Sequence, residues 1–248
     1  MASLLIHINF FLFLAIFTVA LTLNRNFNTV LVGLTYMAPL IPHVGPLTAL
    51  GLGPEITERF LLISCANLIF GTIEIVVFVL TVEPGDTPFD KEHLKQLFGH
   101  TLPIVVALVG LSFLGRANAA PVTALEFTLI AILFICGAVL RVVAIYQIGS
   151  VAFKFDIVFR QKQRLKTDQL YGLVRHPSYT SMMIVVLSYA VIAHSFVWGA
   201  VGIVTAWAGF QYRIHHEETA LAEKFGEEYQ VFRAHTGMWL PRFTQRKI

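Results

Sequence analysis

The feature that most limits the folds open to this chain is an uncharged stretch of 34 residues, from Tyr179 to Tyr212. As one straight helix it would extend about 51 Å at 1.5 Å per residue, whereas the hydrocarbon core of a bilayer is about 30 Å thick. The stretch therefore predicts a helical hairpin in a membrane. The break is expected at His194–Ser195, between the arms Thr180–Ala193 and Phe196–Tyr212, so that both outer ends of the hairpin lie on one face.

The chain as a whole is also too apolar for a soluble protein. It is 56% hydrophobic and 13% charged, with a mean hydropathy of +0.71, where soluble domains carry roughly 25% charged residues. The composition predicts an all-α, polytopic transmembrane bundle of about five to seven membrane helices, including the hairpin. The other candidate spans are Leu4–Leu23 (taken as a first span rather than a signal peptide), Val30–Leu52 (interrupted by prolines), Phe60–Val82, Thr101–Leu114 and Val122–Gln147.

Polar residues are concentrated in the C-terminal part. We divide the chain into N-terminal transmembrane helices, residues 1–140, and a C-terminal module, residues 141–248, which comprises the hairpin 179–212 and a tail. The segment 154–175 and the tail are rich in Lys and Arg, so the positive-inside tendency predicts that both are cytosolic. The polar segment Glu83–Leu97 is expected to be a loop with a short amphipathic helix.

Composition also bears on partners and metals. The formal charge of +3 is modest and gives no indication of nucleic-acid binding. Cys65 and Cys136 have no metal-type spacing, and His215 and His216 diverge by about 100° on a helix, which is unsuitable for joint ligation. The sequence therefore predicts no metal site, and it carries no indication of oligomeric state.

The segment Tyr171-Gly-Leu-Val-Arg-His-Pro-Ser-Tyr179 precedes the first arm of the hairpin. Pro177 disfavours a helical conformation at His176 and can itself begin the next helix. Ser178 and Tyr179 would lie in the first turn, where free amide groups suit an anion. The alternative is a simple loop whose Arg175 and His176 lie at the lipid headgroups.

A second polar group, Arg213-Ile-His-His-Glu-Glu218, follows the hairpin directly. Arg213 and Glu217 are four residues apart and share one helix face. They could form part of a site or only a surface ion pair, which contributes little. The tail beyond, with Phe225-Gly-Glu-Glu-Tyr229 and Thr236–Phe243, could close over a site or anchor in the interface through its aromatic residues.

The order of these motifs resembles the isoprenylcysteine carboxyl methyltransferase family over roughly residues 141–248. The resemblance is carried by Leu165–Thr167, Tyr171, RHPSY at 175–179, the uncharged hairpin, Arg213, the Glu pair 217–218, Leu221, FGEEY at 225–229 and Leu240-Pro241. It implies a multi-pass enzyme of the endoplasmic reticulum membrane with a cytosolic active site. The implied reaction is methyl transfer from S-adenosylmethionine to the C-terminal carboxylate of prenylated cysteine in CaaX-processed proteins.

The resemblance also implies roles for individual residues. Arg213 would bind the substrate carboxylate, and Arg213 and Glu217 would form the catalytic pair. The cofactor would be bound by Gln163, Arg164, Leu165, Lys166, Tyr171, His176, Pro177, Ser178, Tyr179 and Glu217. The substrate's prenyl chain would reach the site from the membrane lipid.

Two alternatives remain open at this stage. A methyltransferase of the same fold could act on another lipid, such as an aminophospholipid, although Arg213 favours a carboxylate. From a different class, the chain could be a non-enzymatic membrane transporter or scaffold. Glu74, Glu126 and Arg141, which lie within or near apolar spans, would support that interpretation.

Overall fold

A computed structural model describes residues 56–81, 91–149 and 164–242, together with isolated helical positions between 11 and 22. Every regular element in these ranges is a helix. In chain order they are α1 (Glu58–Thr81), α2 (Lys91–Gln96), a π-helical turn (Leu97–Thr101), α3 (Leu102–Ala117), α4 (Ala124–Ile148), α5 (Gln169–Leu173), α6 (Pro177–Ala193) and α7 (Phe196–His235).

Three of the described segments are long and apolar enough to cross a membrane: Glu58–Val77, Leu94–Ala117 and Ala124–Ile148. The fold class of an all-helical membrane protein is therefore confirmed, whereas the total number of spans stays a prediction. The predicted span Thr101–Leu114 was too short, because α2 and the π-helical turn run into α3 without a break. The predicted spans Leu4–Leu23, in large part, and Val30–Leu52 lie outside the described residues.

The break in the hairpin lies where the hydropathy predicts it. α6 ends at Ala193, His194 takes a left-handed conformation with φ of 49°, and the side chain of Ser195 accepts a hydrogen bond from the amide of Trp198 at the start of α7. The second arm is longer than predicted. It continues beyond Tyr212 because no glycine or proline occurs before Gly226, where φ is 53°.

The first arm of the hairpin lies at the centre of the bundle. α6 packs against α3, α4 and α7. Its buried side chains, together with those of α1, α3 and α7, form an apolar cluster that contains Phe70, Leu111, Val185, Val186, Tyr189, Ala206 and Phe210. This packing fixes α6 between the N-terminal helices and α7.

Charged groups inside the bundle pair with each other across helices. Arg141 of α4 donates to both carboxylate oxygens of Glu74 on α1, at 2.7 and 2.8 Å. Arg59, which is fully buried, donates to both oxygens of Glu126 at 3.1 Å. The charges that would support a transporter therefore connect neighbouring helices in the described part of the bundle.

Candidate functional site

The loop before α6 is held in an extended conformation by the C-terminal tail. Val174 pairs in parallel with Gly237. The amide of Arg175 donates to the carbonyl of Gly237 at 2.8 Å, and the amide of His176 donates to that of Met238 at 3.3 Å. Pro177 then begins α6, as the sequence predicts.

Arg213 lies at the centre of a buried polar cluster. Its Nε donates to Glu217 Oε1 at 3.1 Å and to the Tyr179 hydroxyl oxygen at 3.3 Å. The Tyr179 hydroxyl in turn donates to Glu217 Oε1 at 2.5 Å. The Arg213 side chain is only 6% exposed, so this is not a surface ion pair. The hairpin brings the two predicted motifs together.

His176 lies between two carboxylates. Its Nδ1 is 3.6 Å from Glu217 Oε2, and its Nε2 is 3.2 Å from Glu218 Oε1. Burial by itself would lower the pKa of His176, but the contacts with the carboxylates of Glu217 and Glu218 outweigh it and raise that pKa above its usual value. The protonated imidazolium, which can donate from both ring nitrogens, is the form that these two carboxylates stabilise.

The two glutamates are held ionised by the same contacts. Burial opposes the charged form, but His176 and Arg213 lower the pKa of Glu217 to about 2. His176 and Arg175 likewise lower the pKa of Glu218 to about 2, against the effect of burial. Both side chains are therefore carboxylates at neutral pH.

The tail closes over this cluster rather than extending away from it. The Arg175 guanidinium donates to the carbonyls of Arg233 and Thr236. The Thr180 hydroxyl donates to the carbonyl of Trp239 at 3.0 Å, and the Trp239 ring meets Phe210 edge to face. These contacts favour the closing role of the tail over a purely interfacial anchor.

The remaining predicted site residues lie around the start of α6. Ser178 accepts a hydrogen bond from Arg141, whose other nitrogens bind Glu74. Tyr171 is buried and donates to the carbonyl of Ala144 on α4 at 3.3 Å. The expectation that the first-turn amides are free is wrong for Tyr179, because its amide donates to the carbonyl of His176 at 3.1 Å.

The residues predicted before α5 are less closely associated with the cluster. Arg164, Leu165 and Lys166 lie on the approach to that helix, where Lys166 pairs with the exposed Asp168 at 2.9 Å. Gln163 lies outside the described residues, and so do residues 150–162 before it.

From the sequence, no role in the site was assigned to several residues of the cluster. Glu218 and Arg175 are part of the recognised motifs, and their adjacency to Glu217 and His176 was the available signal. Gln96 and His100 come from the N-terminal part: Gln96 Oε1 accepts from Arg213 Nη1 at 3.2 Å, and the His100 ring lies 6.1 Å from that of Tyr179. No local pattern marks them.

The net charge of the cluster depends on His176. Arg175 and Arg213 balance the two carboxylates of Glu217 and Glu218, and protonation of His176 adds a third positive charge. An excess of positive charge in a mostly buried site suits an anionic group, and a guanidinium in fixed orientation suits a carboxylate in particular.

Comparisons with known proteins agree with this arrangement. The sequence profile of the isoprenylcysteine carboxyl methyltransferase (ICMT) family matches residues 129–223. A protein-S-isoprenylcysteine O-methyltransferase of Schizosaccharomyces pombe is 33% identical over 110 residues, which is 44% of this chain and 47% of that protein. Its Rattus norvegicus counterpart is 31% identical over 114 residues, 44% of this chain and 39% of that protein. The matched segment thus spans less than half of either relative.

The fold extends the similarity beyond the matched segment. The solved structure of the eukaryotic intramembrane Ras methyltransferase ICMT superimposes with a TM-score of 0.51 at 17% identity, covering 94% of this chain and 84% of that one. At that identity the likeness concerns the fold alone. Together these findings confirm the resemblance indicated by the motifs: residues 129–223, which hold RHPSY, Arg213 and Glu217, match the isoprenylcysteine carboxyl methyltransferase family.

Proposed function

We propose that this protein transfers a methyl group from S-adenosylmethionine to the C-terminal carboxylate of prenylated cysteine in CaaX-processed proteins. The observation that carries the proposal is the buried guanidinium of Arg213, oriented by Glu217 and Tyr179. Such a group binds a carboxylate through two parallel hydrogen bonds, which lysine cannot reproduce.

The reaction requires orientation more than acid–base chemistry. A free C-terminal carboxylate has a pKa of about 3.3–3.7 and is ionised at neutral pH, so no general base is needed. S-adenosylmethionine, when bound, supplies a methyl group already activated on a sulfonium. Arg213 holds the carboxylate, and Glu217 and Tyr179 hold the plane of its guanidinium, which is catalysis by proximity. A tight grip also stabilises the ground state, so orientation is the main contribution of Arg213.

The chemistry of the site residues fits the cofactor. The Glu217 side chain is 25% exposed, so its carboxylate could also accept from the ammonium group of the cofactor's amino-acid part. The other residues that would hold the cofactor, by the family resemblance, are Gln163, Arg164, Leu165, Lys166, Tyr171, His176, Pro177 and Ser178.

The membrane supplies the route for the lipid part of the substrate. The prenyl chain would lie in the bilayer against the hairpin. The carboxylate would reach Arg213 of α7, which lies beside the start of α6. We place the protein in the endoplasmic reticulum membrane with this end facing the cytosol. The basic segments before and after the hairpin support that orientation.

The decisive experiment is a radiolabelled methyl-transfer assay with purified protein, S-adenosylmethionine and N-acetyl-farnesylcysteine. Wild-type protein should methylate the substrate, and Arg213→Ala should abolish transfer while the protein stays folded. Arg242→Ala is the control, because Arg242 is exposed and donates to the carbonyl of Ala234 within the tail. Absence of transfer by the wild type would overturn the proposal, and full activity of Arg213→Ala would overturn the role of that residue.

The other two functions are separated by simple measurements. An aminophospholipid acceptor must lose a proton and would be repelled by the positive cluster, so phosphatidylethanolamine should not be methylated in the same assay. A transporter or scaffold would show no response to S-adenosylmethionine in calorimetry or thermal-shift measurements, whereas we expect the cofactor to raise the unfolding temperature.

A further inference from the structure

A π-helical turn, Leu97–Thr101, joins α2 to α3 beside the candidate site. The amide of Leu102 donates to the carbonyl of Leu97, five residues back. π-Helical turns are rare, and they occur frequently at functional sites because they redirect side chains within a continuous helix. Here the turn separates α3, which packs in the bundle, from Gln96, which points towards Arg213.

Two glycines allow the π-helical turn to approach α7 closely. A Cβ atom at Gly99 would lie 2.6 Å from the ring of Tyr212, and a Cβ atom at Gly209 would lie 2.8 Å from the carbonyl oxygen of His100. Real Cβ atoms do not approach other atoms so closely. The turn is therefore held against the part of α7 that immediately precedes Arg213.

This position brings the Gln96 side chain into hydrogen-bond contact with the Arg213 guanidinium. Gln96 Oε1 accepts from Nη1 at 3.2 Å, while Nε of the same group donates to Glu217 and Tyr179. Partners on different nitrogens, supplied by separate elements, fix both the plane of the guanidinium and its rotation in that plane. Because the Gln96 side chain is neutral, it orients Arg213 without cancelling its charge.

We propose that Gln96 is a positioning residue for the substrate carboxylate, acting through Arg213. The inference rests on the proposed function. It assigns a role in the site to the N-terminal helices, which precede the segment that matches the family profile. Without the amide, Arg213 would still be charged but would present its hydrogen bonds in the wrong direction to an incoming carboxylate.

The test compares Gln96→Met, which keeps the length of the side chain but removes the acceptor, with wild-type protein. We expect KM for N-acetyl-farnesylcysteine to rise about tenfold, as for the loss of one hydrogen bond to a charged group, while KM for S-adenosylmethionine changes less than twofold. Gln96→Glu should raise the first KM further, because its carboxylate competes for Arg213. Lys91→Ala, an exposed change on the same helix, is the control and should change neither value.

The outcomes separate this inference from the proposed function. If the wild type transfers methyl groups but Gln96→Met leaves both KM values unchanged, or raises both equally, Gln96 has no positioning role. If the wild type is inactive, the proposed function fails and this inference fails with it. If Gln96→Met does not fold, Gln96→Asn replaces it. The Asn side chain is one methylene shorter, so its amide lies farther from Arg213, and we expect the same rise in KM for N-acetyl-farnesylcysteine.

Discussion

Arg175 and Glu218 form a buried ion pair, with Nε 2.8 Å from Oε1 and side chains only 5% and 8% exposed. The pair joins the loop before α6 to α7, and the same guanidinium binds the carbonyl of Thr236 in the tail. It therefore connects three segments that are far apart in the sequence.

Removing one partner of this pair should be costly. Arg175→Ala leaves the Glu218 carboxylate buried with less compensation, which typically costs about 3–5 kcal/mol. For a chain of this size the unfolding temperature should fall by on the order of 10 °C, measured by thermal unfolding in detergent.

Arg233 supplies a matched control for that prediction. It approaches the same Glu218, with Nε 3.6 Å from Oε2, but its side chain is 51% exposed. Arg233→Ala should therefore cost less than about 1 kcal/mol. Equal losses for the two variants would show that burial of the Arg175–Glu218 pair does not determine its contribution.

The stability of the module should depend on pH in two directions. The pKa values of Glu217 and Glu218 are lowered to about 2 from 4.5, so their contribution is present above pH 4.5 and is lost as pH falls towards 2. The pKa of His176 is raised above 6.5, so its contribution is complete below pH 6.5 and is lost as pH rises through the raised value. The unfolding temperature should be highest between these limits.

His176→Gln tests whether His176 causes the predicted loss of stability at alkaline pH. This variant cannot be protonated, so the decline of the unfolding temperature above pH 6.5 should flatten, while the decline at acid pH remains. His215→Gln, at an exposed position of α7, should leave the whole profile unchanged. If the unfolding temperature of His176→Gln declines above pH 6.5 as it does in the wild type, another group causes that decline.

The sequence predicts the hairpin and the meeting of its outer ends because both follow from local properties. An uncharged run too long for one span must break, and His194 followed by Ser195 is the only polar pair near its middle. Once the hairpin forms, Tyr179 and Arg213 must lie at the same end. The resemblance to a known family points to the same residues.

Other parts of the site could not be predicted from local patterns. Gln96 reaches Arg213 across 117 positions of the chain, and its place depends on the packing of the π-helical turn against α7. The sequence predicts a helix as far as the pair Arg213–Glu217, but it gives no indication that α7 continues to His235. No glycine or proline occurs between Gly209 and Gly226, and at Gly226 the helix kinks and then continues.

The buried pair Glu74–Arg141 should behave differently in stability and in activity. Arg141→Leu alone leaves an unpaired carboxylate among apolar helices and should cost about 3–5 kcal/mol, whereas Glu74→Leu with Arg141→Leu should recover most of that loss. Activity should not recover, because Ser178 loses its donor in both variants. The measurements are thermal unfolding and KM for S-adenosylmethionine. Recovery of activity in the double variant would show that Ser178 does not need Arg141.

Gly226 interrupts α7 with φ of 53° and ψ of −123°, a backbone conformation that side chains with a Cβ atom adopt only under strain. Gly226→Ala should therefore cost about 1–3 kcal/mol. It should also reduce methyl transfer, because the chain after this residue carries Thr236 and Trp239 to the loop before α6.

Gly110→Ala is the matched control: a Cβ atom there meets nothing within 4 Å, in a regular helix, and the change should stabilise by about 0.5–1 kcal/mol. Thermal unfolding with the transfer assay measures both effects, and a neutral Gly226→Ala would mean that α7 can continue straight without displacing the tail.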